Sequence, residues 1–108
     1  MIVSYKVAKY LSDIGFTKDC KKEYWNGVLH NCFDTYKPLE GIYPAPEILD
    51  AVDWIALNTN ITIKLAGNTK GYTSCVIIDD MTYSLPVYSK PSDSLNSALE
   101  LIASKALK

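Results

Sequence analysis

The chain switches its hydrophobic period several times, and each switch marks an element. Val7, Ala8, Leu11 and Ile14 recur at helical spacing, which predicts a helix over about Ser4 to Ile14. Ser4 suits its N-cap. Gly15 stands where a left-handed residue ends a helix, and Phe16 should fold back on Leu11. Thr17 to Lys22 is polar and reads as a loop. Asn26-Gly27 lies between two runs of strand-favouring residues. That dipeptide predicts a tight hairpin, with strands near 22–25 and 28–33, because both turn positions need positive φ.

Asp34 to Tyr43 has no period, and Pro38 and Gly41 mark it as a connecting loop. Pro46 suits the first position of a second helix, with Glu47 favoured by the helix dipole. Ile48, Ala51, Val52 and Ile55 form its apolar face, widened by Leu49 and Ala56, while Asp50 and Asp53 face solvent. Ile61 to Leu65 then alternates with period two, as a half-buried strand does. Gly67 to Gly71 reads as a turn. Tyr72 to Asp79 carries Val76-Ile77-Ile78, apolar on both faces and so expected at the centre of a sheet. Thr82 to Tyr88 follows a tight connection, and Pro86 consigns it to an edge or a bulge. A last helix starts around Pro91 to Ser94, with Ser92 or Ser94 as cap. Leu95, Ala98, Leu99, Ile102 and Ala106 line its apolar face, and Lys105 and Lys108 favour its C-terminal end.

The order is helix, hairpin, loop, helix, three-stranded meander, helix. It predicts an α+β fold, a two-layer antiparallel sheet with about three helices mainly on one face. At 108 residues the chain reads as one domain, with Pro44-Ala45-Pro46 as an internal seam. It is long enough to bury a core without disulfide or metal.

Charge narrows the picture only slightly. The net charge is −1, which creates no strong field for nucleic acid or anionic membrane. All of the basic residues are lysine, so the arginine fork that reads phosphate and guanine edges is missing. No uncharged run is long enough to span a bilayer, and the first residues do not read as a signal peptide. Cys20, Cys32 and Cys75 cannot all pair and read as reduced thiols of a cytoplasmic protein.

Candidate chemistry is thin. His30 and Cys32 share a strand face, with Cys20 nearby, but no Cys-x-x-Cys pair accompanies them, so a zinc site is not expected. Nothing marks a third group that would orient a Cys–His nucleophile. Asp79-Asp80 could bind a divalent cation, although such a pair after a strand more often makes the turn. No catalytic, cofactor-binding or metal residue is assigned. Lys18, Lys21 and Lys22 beside Tyr24 and Trp25 resemble a single-stranded nucleic-acid surface, but Asp19 and Glu23 offset their charge. The remaining signal is a surplus of eight tyrosines in a small domain. Tyrosine and tryptophan favour protein interfaces. Lys21, Lys22, Tyr24, Trp25, Tyr36 and Tyr43 are therefore the candidate interaction surface, for a protein partner or a second copy of the chain.

Four segments also carry a likeness. They are Val3 to Leu11 with Gly15-Phe16, Ala45-Pro46 followed by Asp53-Trp54-Ile55, Gly71-Tyr72, and Ser97-Ala98-Leu99-Glu100. In this order the chain resembles small uncharacterised proteins of gut Bacteroidetes and of phages or mobile elements in such genomes. It departs from their pattern at Glu47 and Ile55, where Thr and Leu are commoner. The resemblance implies no activity and no catalytic residue. The expected function is non-enzymatic protein binding. The alternatives are a nucleic-acid-associated module, or a small enzyme using His30, Cys32 or Asp79-Asp80.

Overall fold

The computed structural model describes residues 1–32 and 40–106, with the side chain of Ala106 excepted. Tyr36, Pro38 and Lys108 lie outside the described residues. The chain forms two units, Met1–Glu47 and Ile48–Lys108. Among the described residues, three helices and two three-stranded antiparallel sheets make the fold α+β.

In the first unit, α1 spans Tyr5–Asp13. Ser4 caps it by accepting from Val7 N–H at 3.3 Å. At its other end Gly15 takes φ +105°, the Phe16 N–H bonds Leu11 O at 2.8 Å, and the Gly15 N–H bonds Ser12 O at 3.1 Å. This pair of bonds closes the last carbonyls of the helix, and buried Phe16 follows as its hydrophobic stop. Val3, Val7, Ala8 and Leu11 are fully buried.

Strands β1 (Lys22–Trp25) and β2 (Val28–Asn31) pair around Asn26 and Gly27, whose φ values are 49° and 89°. The predicted loop ends in a third strand, β3 (Ile42–Pro44), which pairs with the other side of β1. Its three residues, hemmed by Gly41 and two prolines, are too few to show a period. Pro44 is tolerated because the ladder bond falls to the next residue: Ala45 N–H donates to Lys22 O at 3.0 Å. With β3 in place, hairpin and meander belong to separate sheets, ordered β2-β1-β3 and β4-β5-β6.

Pro46 does not open the second helix. Its carbonyl accepts from Val3 N–H at 3.1 Å, and Glu47 bridges Ile2, so the chain is still extended there. Helix α2 begins at Ile48 and ends at Asn58. Ile48, Ala51 and Ile55 are buried, as the pattern predicts. Leu49, by contrast, is 66% exposed and Ala56 is exposed as well, so the apolar face is narrower than the sequence suggests.

The meander comprises β4 (Thr62–Asn68), β5 (Gly71–Ile78) and β6 (Met81–Ser84). Strand β5 is central, as its apolar run implies. The first turn is tighter than predicted, because Asn68 pairs with Gly71 across Thr69-Lys70. Asp79 and Asp80 form the second turn, at φ 49° and 65°. After β6, Leu85 N–H bonds Ser74 O, but Tyr88 rather than Val87 bridges Tyr72. The additional residue is a bulge at Pro86-Val87, where a missing N–H costs nothing.

Helix α3 spans Pro91–Ala106, with Pro91 at its first position. Ser94 is thus inside the helix and not its cap. It lies fully buried on the face that packs on β5, beside Leu95, Ala98, Leu99 and Ile102. Lys105 Nζ sits 4.6 Å from the Tyr83 ring centre, a cation–π contact at the helix end.

Candidate interaction surface

The hairpin turn sets the surface chemistry of the first unit. A two-residue loop places Trp25 opposite Val28, Tyr24 opposite Leu29, Glu23 opposite His30 and Lys22 opposite Asn31. Alternation then sorts these residues onto two faces.

Tyr24 and Tyr43 are cross-strand partners on one face. Tyr5 of α1 packs against both, with ring centres 5.6 Å and 5.9 Å away. Tyr24 Oη also donates to Val3 O at 2.8 Å. Both rings are half-buried, so these two candidates spend most of their surface inside the unit. This accounts for part of the tyrosine surplus. Leu29 on the same face remains 38% exposed.

The opposite face carries Glu23, Trp25, Val28 and His30. Trp25 Nε1 donates to Glu23 Oε1 at 2.6 Å, and the Trp25 ring stacks on His30 with centres 4.4 Å apart. Glu23 is buried, which suits a carboxylate only when a donor reaches it. Trp25 and Val28 stay 43% and 59% exposed. Lys21 is exposed and Lys22 half-buried.

The backbone defines the edge. Cys32 N–H donates to Lys21 O at 2.8 Å, so 21 and 32 form a hydrogen-bonded pair. Bonded pairs alternate in an antiparallel ladder. Val28 and His30 therefore direct their N–H and C=O groups to β1, whereas Leu29 and Asn31 direct theirs outward. Among the described residues nothing pairs with that outer side of β2. Sequence reasoning picked out Lys21, Lys22, Tyr24 and Trp25 here but missed Val28, Leu29 and His30. The register implied by Asn26-Gly27 would have found them.

Each residue considered for catalysis is described within its own unit. His30 is stacked on Trp25, and Asp79 and Asp80 are exposed in a turn. Cys20, Cys32 and Cys75 are half-buried and form no disulfide. Among the described residues no group of three or more His, Cys, Asp or Glu could hold a metal ion. No described helix is long and apolar enough to cross a membrane.

Fold and surface together define an α+β protein whose aromatic-bearing hairpin sheet has, among the described residues, an open edge at β2. No protein-family model, no curated protein and no solved structure matches the chain.

Proposed function

We propose that this chain is a non-enzymatic protein-binding module working in the cytoplasm, of the kind encoded by phages or mobile elements of gut Bacteroidetes. The supporting observation is the outer border of the first sheet. There Val28 and Leu29, with Trp25 of β1 opposite Val28, leave apolar surface in water beside β2 backbone groups that have no ladder partner among the described residues. An extended segment of a partner would satisfy those groups and cover those side chains at once. Binding of single-stranded nucleic acid is less well supported. One face of the Trp25 ring is already covered by His30, and the buried Glu23 carboxylate lies against its indole N–H.

The test is a photo-crosslinking side chain at Val28, with the same probe at exposed Thr62 of β4 as control, in cells of the native host. Protein adducts from position 28 that are absent from position 62 are expected. No adduct at 28, or identical adducts at both positions, would overturn the reading.

A further inference from the structure

We propose that the occupant of the β2 edge is a second copy of this chain, paired antiparallel about a two-fold axis at His30. The inference rests on the binding role proposed above and deepens it.

Sheet edges attract strands unless something blunts them, usually a charge, a proline or a bulge. The outer strands of the two sheets differ in this respect. Strand β3 ends in Pro44, and the chain just beyond it is bridged by Ile2. Strand β4 carries Lys64, and β6 runs into the bulge at Pro86. Strand β2, Val28-Leu29-His30-Asn31, has no lysine, carboxylate or proline. It is the unguarded edge among the described residues.

Its outward groups are self-complementary. They are the N–H and C=O of Leu29 and of Asn31. In a two-fold antiparallel pair, Leu29 of one copy meets Asn31 of the other, and the reverse pair repeats the contact. Every outward group is then satisfied together. A register centred on Leu29 would leave those of Asn31 unused. The His30-centred register brings the two His30 side chains side by side on the face where each stacks on its own Trp25. The row Trp25, His30, His30, Trp25 then runs across a continuous six-stranded sheet. No fixed charge on β2 opposes a like charge.

The experiment measures mass by light scattering from dilute protein up to about 1 mM, enough to populate a weak complex. Two chains per particle are expected at the upper end. Leu29→Pro removes an outward N–H and no ladder bond to β1, so it should stay folded by circular dichroism and become a monomer. His30→Lys and His30→Glu each set like charges face to face at the axis. Each should be monomeric alone, and their mixture should regain the dimer. That rescue depends on the pairing at His30 and would not follow from a general loss of stability.

A wild-type chain that stays monomeric throughout overturns the proposal. So does a dimer whose mass is indifferent to these substitutions, since it must use another surface. If the chain is monomeric yet the Val28 probe captures a different protein, the self-pairing fails and the binding role stands. If the probe captures nothing, both fail.

Discussion

Ser74 of β5 and Ser94 of α3 meet hydroxyl to hydroxyl at 2.6 Å, both fully buried. Each is the other's answer to being out of water between helix and sheet. Replacing either one by Ala strands the remaining hydroxyl, at a cost of about 1–3 kcal/mol. Replacing both removes the polar problem altogether. The double variant is expected to be no less stable than the worse single one. Urea unfolding of the four proteins in the cycle measures this, and additive losses would show that the two groups are not coupled.

Gly71 opens β5 at φ +134°, and a Cβ there would lie 2.5 Å from the Tyr88 carbonyl oxygen. Tyr72 and Tyr88 bond each other in both directions at 2.7 Å, so that carbonyl cannot easily retreat. Gly71→Ala should cost about 3 kcal/mol or more, since strain of about 1–3 kcal/mol adds to a backbone collision. Gly15 is the control. Its φ is also positive, but open space surrounds it, and Gly15→Ala should cost only about 1 kcal/mol. Thermal or urea midpoints of the two variants decide the matter, and equal losses would refute the collision.

Tyr10 is buried on α1, and burial pushes its phenol above the ordinary value of 10.0 by disfavouring the phenolate. The folded protein holds this proton more tightly than the unfolded chain does. The associated stability is therefore whole below about pH 10 and is lost as pH rises through the higher folded value. Tyr10→Phe has no proton to lose. The stability difference between wild type and Tyr10→Phe should be flat from about pH 7 to 9 and turn against the wild type above about pH 10. Denaturant titrations across that range test it, and parallel curves would remove Tyr10 as the cause.

Much of the fold was legible because its signals are local. The Ser4 cap, the Gly15-Phe16 stop, the Asn26-Gly27 turn and the alternation in Ile61–Leu65 each depend on residues a few positions apart. Where the pattern misled, a distant partner had overruled it. Ser94 looks like a cap by its neighbours, but Ser74 holds it in the core. Pro46 looks like a helix start, but its carbonyl is taken by Val3. Ile42–Pro44 looks like loop because its partner β1 lies across a long connection.

The candidate surface divides in the same way. Sequence alone could pick out Trp25 and Tyr24 as neighbours on opposite faces of one strand. It could not say that Tyr24 would be claimed by Tyr5 and Val3 while Trp25 stayed exposed opposite Val28.

The sequence by itself determined the α+β class, the order of every element except β3, and most of their ends, because capping, turn chemistry and period act within a few residues. Only the tertiary structure decided which strand would be left on the outside. Edge status is a property of the whole sheet: β3 closes one side of β1, β2 covers the other, and among the described residues the outward groups of Leu29 and Asn31 are left unpaired on the far side of β2.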